Sequence, residues 1–278
     1  MTTTIGVEPA AGHLPQPGLS ALNLCDLPPW VIASEEFNLT PSALELAGVR
    51  SSNRDLFRKL DCIEDPIQRG AVFHDYLDVK FALHQWEDYS GNARSSLRNS
   101  YLRFLRGWEV DSNASAGAVL KSWVQSRFGI QPTYHRGVLR FKDGEEDARF
   151  AYDRMHGSMK TNSIYSQLDL LYEFCQYEME RRFPGVLTCQ LYRGTYDPEE
   201  HPLLEKRGKR ESCVRLNTLV SFTADNEKAW EFGSTVWVAE VALCKVIFFS
   251  DLLPDRLLKG EDEYLVVGGN YWVKELLY

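Results

Sequence analysis

The 278-residue chain lacks the marks of several protein classes, and each absence narrows what it can be. Its first residues hold no basic segment followed by an apolar one, so no secretory signal is expected. No apolar run approaches the roughly 18 residues of a membrane span. Six cysteines (Cys25, Cys62, Cys175, Cys189, Cys213, Cys244) form no C-x-x-C pair and no metal spacing. Several lie in apolar runs, which predicts buried free thiols in a reduced, cytoplasmic setting. The six histidines also lack paired metal spacing, and His74 and His84 read as structural; no metal is expected. Without a G-x-G-x-x-G opening a helix or a G-x-x-x-x-G-K-[ST], the Rossmann and P-loop readings fail. Positive charge is in deficit, 31 Lys and Arg against 39 Asp and Glu. A net charge of −8 argues against a broad nucleic-acid or anionic-membrane surface.

What is present is enough length for a substantial core, as one large domain or two packed ones. Residues 1–26 read as a mobile leader and 27–185 as mainly helical. Leu27-Pro28-Pro29-Trp30 opens an irregular segment expected to pack on the body through Trp30 and Val31. Asn53 is placed to cap a short helix reaching Leu60. Asp65-Pro66 sets a cap and a first-turn proline before an amphipathic run through Phe73, Leu77, Phe81 and Trp86. Leu97, Tyr101, Phe104, Leu105 and Trp108 share one helical face, with Gly107 weakening its last turn. Ser115 precedes a further helix through Phe128, stopped by Gly129. The clearest helix runs from Asn162 or Ser163 to Phe183, with a stripe of Ile164, Leu168, Leu171, Tyr172, Cys175 and Met179.

Residues 186–278 read as β-rich. Val186–Tyr192, Leu216–Phe222, Val236–Leu243, Val246–Ser250, Tyr264–Val267 and Tyr271–Leu277 have strand texture, and one short helix is expected at Ala224–Phe232. The fold class is α+β. Polar groups collect at strand ends in a set order: Arg193-Gly194, then Ser221-Phe222-Thr223 before the short helix, then Glu261-Asp262-Glu263 opening an apolar strand. Adjacent acids repel, so three beside a core strand gain little structurally. An isolated E-x-E reads as a solvated loop. Glu261 and Glu263, two apart on a strand, would instead share one side and face a common cleft. Asp262 would face away and is given no role.

That order resembles the arginine, serine, glutamate class of mono-ADP-ribosyltransferases, in which two small sheets clasp NAD. The likeness extends through Leu27-Pro28-Pro29-Trp30-Val31-Ile32-Ala33-Ser34, Ser100-Tyr101-Leu102-Arg103-Phe104-Leu105-Arg106-Gly107-Trp108 and Gln167-Leu168-Asp169-Leu170-Leu171-Tyr172-Glu173-Phe174-Cys175-Gln176. With these stretches nearly the whole chain is similar to the dinitrogenase reductase ADP-ribosyltransferase family. The resemblance implies a helical part packed on a two-sheet catalytic core, NAD as ADP-ribose donor, and the nitrogenase iron protein as substrate. It also implies a PII-type signalling protein as activator.

Under that resemblance Arg193 clamps the diphosphate and Gly194 admits the nicotinamide amide close to the backbone. Ser221 and Thr223 meet the nicotinamide-side ribose, with Ser221 also orienting Glu263. Phe222 and Phe232 are candidates for stacking on the nicotinamide ring, with core packing the expected work of at least one. Glu263 would stabilise the oxocarbenium-like sugar. Glu261 would face the acceptor arginine, whose deprotonation at pH 7 costs roughly 7–9 kcal/mol without help. Leu252, Leu253, Arg256 and Leu257 read equally as contacts for the target or as a connecting loop with a small apolar anchor; Lys206, Arg207, Lys209 and Arg210 read as a solvated loop in preference to a docking patch for an acidic surface. The rival readings are an NAD glycohydrolase and a binding module without turnover.

Overall fold

Caps and breaks set where the helices begin and end. The computed structural model describes residues 23–83, 100–139, 144–159, 161–254 and 262–276. Part of the expected leader is anchored: the Leu24 N–H donates to the Arg127 carbonyl, and Cys25 bridges Leu46. Short helices α1 (Pro29–Ile32), α2 (Glu35–Leu39) and α3 (Val49–Ser52) precede α4 (Arg54–Asp61). Ile32 is buried, whereas Trp30 is 53% exposed and does not pack on the body as expected. Asn53 precedes α4, but its side chain donates back to Val49 instead of capping.

Helix α5 (Pro66–Lys80) starts as the sequence predicts, with Asp65 accepting from the N–H groups of Ile67 and Gln68. The helix ends at Lys80, short of the run expected through Phe81, with Ala82 at φ of +52°; His84, Trp86 and Leu97 lie outside the described residues. The face formed by Tyr101, Phe104, Leu105 and Trp108 is buried on α6 (Tyr101–Val110). Gly107 does not weaken this helix. A Cβ there would meet the Ala116 Cβ at 2.5 Å, so glycine permits close packing on α7 (Ser115–Phe128). A hairpin of β1 (Thr133–Tyr134) and β2 (Gly137–Val138) follows.

Helix α8 (Glu145–Ser158) carries no apolar stripe that would announce it, because it is polar on most faces and buries only Phe150 and Gly157. Helix α9 (Ile164–Arg182) carries the predicted stripe but is buried well beyond it. It accommodates Glu173 and Glu178 because arginines neutralise both. Glu173 accepts from Arg50 Nε at 2.7 Å and the Leu46 N–H at 2.8 Å. Glu178 accepts from Arg69 Nη2 at 2.9 Å and Arg182 Nε at 2.8 Å. Among the described residues no helix is long and apolar enough to cross a membrane.

The strands β3 (Thr188–Thr195), β4 (Leu203–Arg207), β5 (Glu211–Thr223), β6 (Thr235–Ala242), β7 (Val246–Phe249) and β8 (Glu263–Leu276) form one antiparallel sheet, not the two expected. Its order is β4-β5-β3-β6-β8-β7, and an added β5–β8 pairing closes β5, β3, β6 and β8 into a ring with β4 and β7 attached outside it. The reason is strand length. β5 and β8 run 13 and 14 residues and pair from Glu211↔Lys274 to Thr223↔Glu263, so segments read as separate strands share one ladder. The supposed break at Gly268–Asn270 is an irregularity inside β8, opposite a shift between Leu216 and Leu219. Strand β4 lies outside every expected strand. With the start of β5 it makes an exposed hairpin that carries the basic cluster, where Arg207 stacks 3.8 Å over Trp272.

One apolar core runs through both halves, from Ile32 and Phe73 to Val246 and Val273. Leu252 and Leu253 belong to it at 1% and 2% exposure, so they are anchors and not contacts for a target. Cys175, Cys213 and Cys244 are buried free thiols, while Cys62 is exposed, contrary to expectation.

Candidate active site

Strand register brings the predicted residues together. Thr223 lies opposite Glu263 in the β5–β8 ladder and opposite Tyr192 in the β3–β5 pair, and Ser221 lies opposite Leu265. Side chains on one strand face alternate every second residue, so Ser221 is the diagonal neighbour of Glu263, about 7–8 Å away along the ladder. Arg193 follows Tyr192 in the middle of β3 and not beyond its end. Arg193, Gly194, Ser221, Thr223, Phe232 and Glu263 all line one cavity of about 1170 Å³.

Arg193 is the electrostatic centre of that cavity. Its Nη1 donates to the Ser221 carbonyl at 2.8 Å, while Nε is buried with no hydrogen-bond partner among the described residues. Burial pushes its pKa down, with the carboxylates of Glu200 and Glu263 acting the other way. Guanidinium stays charged in proteins, so the outcome is a desolvated cation with a donor left over. His201, also on the cavity wall, is held down to about 4 by burial and the nearby Arg193, and is neutral at pH 7. Lys121, contributed by α7, is pushed to about 8 by burial; its Nζ donates to Asn113 Oδ1 at 2.9 Å and the Thr133 carbonyl at 3.3 Å.

Several contacts had no sequence signal. The Ser250 hydroxyl accepts from the Glu263 N–H at 2.8 Å and donates to the Glu263 carbonyl at 3.3 Å, pinning the start of β8. Trp108 of α6 donates its indole N–H to Ser221 Oγ at 2.9 Å. At the β5 irregularity the Asn217 side chain accepts from and donates to the Thr133 main chain at 2.9 and 3.0 Å, holding the loop that walls the cavity. A reader of the sequence sees only common residues in strands and helices at these positions.

Other assignments shift in detail. A Cβ at Gly194 would meet the Ala229 carbonyl at 2.0 Å, so the chain itself already requires glycine there. The short helix is α10 (Asn226–Ala229), capped by Asp225 and followed by a tighter turn at Trp230–Phe232. Both phenylalanines border the cavity, but that turn leaves Phe232 48% exposed, whereas Phe222 is 3% exposed and packs into the core, with its ring 6.2 Å from that of Tyr271. Thr223 Oγ1 accepts from the Asp225 N–H at 3.1 Å, a turn contact ahead of α10. Glu261, Arg256 and Leu257 lie outside the described residues. Asp262 has φ of +52° and pairs with Lys228 at 3.0 Å, and the strand begins at Glu263.

Charges of both signs line the cavity, with Arg193, Arg215 and Lys121 among carboxylates that include Glu109, Glu200 and Glu263. The cavity has room for a dinucleotide, an unpaired cationic donor for phosphate, an exposed aromatic ring for a flat heterocycle, and a carboxylate beside them. No solved structure matches the chain significantly. Over 272 residues it is 42% identical to the NAD(+)–dinitrogen-reductase ADP-D-ribosyltransferase of Rhodospirillum rubrum, covering 96% of each chain. Residues 22–275 match the family described as dinitrogenase reductase ADP-ribosyltransferase, and the chain belongs to that family.

Proposed function

We propose that this chain transfers ADP-ribose from NAD to an arginine of the nitrogenase iron protein, in the cytoplasm and with a PII-type signalling protein as activator. The observation that carries the reading is the convergence of Arg193, Ser221 and Glu263 on one cavity wall, with a buried Arg193 donor left open.

Arg193 holds the NAD diphosphate, its unpaired Nε pointing to an anion as the missing partner. Gly194 borders the nicotinamide and Phe232 stacks on its ring, while Phe222 supports the strand from the core. Ser221 and Thr223 line the ribose. As the glycosidic bond to nicotinamide breaks, the bonding pair leaves with nicotinamide and the ribose carbon becomes cationic. Glu263, fixed through Ser250, stabilises that charge where it develops. Glu261 takes a proton from the acceptor guanidinium as its nitrogen bonds to the ribose carbon.

The test is incubation with labelled NAD and the iron protein. Label on an acceptor arginine supports the reading; free ADP-ribose with unlabelled protein overturns transfer in favour of hydrolysis, and neither product overturns catalysis altogether. Glu263→Gln should lower both transfer and NAD hydrolysis about 10²- to 10³-fold, the scale of losing one electrostatic stabiliser. Glu261→Gln should impair transfer more than hydrolysis, and equal losses would refute this division of roles.

A further inference from the structure

The sheet alone does not position Ser221. Its hydroxyl takes a hydrogen bond from the indole N–H of Trp108, a residue from the helical part, 113 positions earlier in the chain. Indole nitrogen is a donor only, whereas a serine hydroxyl has one proton and two acceptor sites. The contact therefore sets both the place and the polarity of Ser221. One lone pair is engaged by Trp108, and the proton must be donated elsewhere, with Ser221 bordering the cavity.

The surroundings hold Trp108 for this task. It is buried to 5% exposure, sits in the last turn of α6, and has Lys121 Nζ 5.9 Å from its ring. Its neighbour Gly107 lets α6 approach Ala116 of α7 more closely than any other residue would allow. A buried indole N–H normally finds a partner, and here the partner is the motif serine.

We infer that Trp108 is a positioning residue for the transfer reaction: it orients the Ser221 hydroxyl so that its proton is offered to the bound NAD ribose. This rests on the reading of the cavity as an NAD site. It means that the helical part completes the catalytic wall as well as supporting it.

The experiment is a double-mutant cycle of Trp108→Phe and Ser221→Ala, read as NAD hydrolysis and as transfer to the iron protein. Trp108→Phe alone should lower kcat about 10-fold, with KM for NAD changed less than about twofold, since one hydrogen bond to a reacting group is lost. In the Ser221→Ala background the same substitution should change nothing. Replacing Trp108 by benzothienylalanine, which exchanges the indole N–H for sulfur at nearly constant shape, should reproduce the effect with the melting temperature preserved. That variant keeps the test decisive if phenylalanine disturbs the core. An unchanged kcat in the benzothienylalanine protein overturns the inference, as does an equal loss with and without Ser221, which would mark Trp108 as packing only. Full activity in Ser221→Ala alone would instead remove Ser221 from the NAD reading, and the inference with it.

Discussion

On α9, each buried or half-buried carboxylate meets an arginine. Asp169 takes two bonds from Arg127 at 2.6 and 2.8 Å and one from the Trp123 indole, while Glu173 and Glu178 are neutralised by Arg50, Arg69 and Arg182. In the cleft, the half-buried Arg193 spends one nitrogen on a main-chain carbonyl, and its buried Nε has no partner among the described residues. Both regions bury charge. The helices satisfy it internally, and the cleft holds a donor open. Buried polar groups are normally paired, so an unpaired one beside a cavity points to a ligand in place of a protein partner.

Removing one carboxylate from the helices should have the greatest consequence. Glu178→Ala leaves Arg69 and Arg182 facing a void and should cost about 3–5 kcal/mol of stability. Arg193→Met should change stability by less than about 1 kcal/mol while reducing activity by roughly 10²-fold. Chemical denaturation of both variants decides the matter. An Arg193→Met protein as unstable as the Glu178→Ala protein would make Arg193 a structural residue and erase the contrast.

A smaller effect concerns Lys245, which is 0% exposed, 4.8 Å from the Tyr271 ring centroid and 3.4 Å from the Gly268 carbonyl. Burial lowers its pKa from 10.5 to about 7. Between these values the unfolded chain keeps a proton that the folded chain has released, so stability rises with pH across that window. Urea unfolding at pH 7.5 and 9.5 should show that rise reduced by about 2 kcal/mol in Lys245→Met. An identical rise in the variant would locate the proton elsewhere.

The mildest change is expected at the anchor of Glu263. Ser250→Ala removes both main-chain contacts and should lower kcat about 3- to 10-fold, with KM for NAD held nearly constant. A change confined to KM would place Ser250 in substrate binding instead of carboxylate positioning.

Much of the helical part was legible because its signals are local. Asp65-Pro66, Gly129 and the stripe on α9 declare themselves within a few residues. Helix α8 was invisible because it rests on neighbours through so little apolar surface. In the sheet, strand texture was readable but partnership was not. Gly268-Gly269-Asn270 reads in sequence as a gap between two strands, whereas in the fold Gly269, at φ of +118° inside β8, packs its backbone on Ala33, where a Cβ would come within 2.8 Å. For Leu252 and Leu253 the resemblance offers a recognition loop and the residues alone an apolar anchor; burial decides for the anchor.

Residue order alone carries the α+β class, the main helix limits, and the succession of Arg193, Ser221 and Glu263. Periodicity, capping and turn chemistry act over a few residues, so they can be read without coordinates. Three further outcomes emerge only in the folded chain: β5, β3, β6 and β8 close into one ring, Thr223 faces Glu263, and Trp108 reaches Ser221 from another part of the molecule. They depend on which distant surfaces meet and in what register, and no local pattern encodes that meeting.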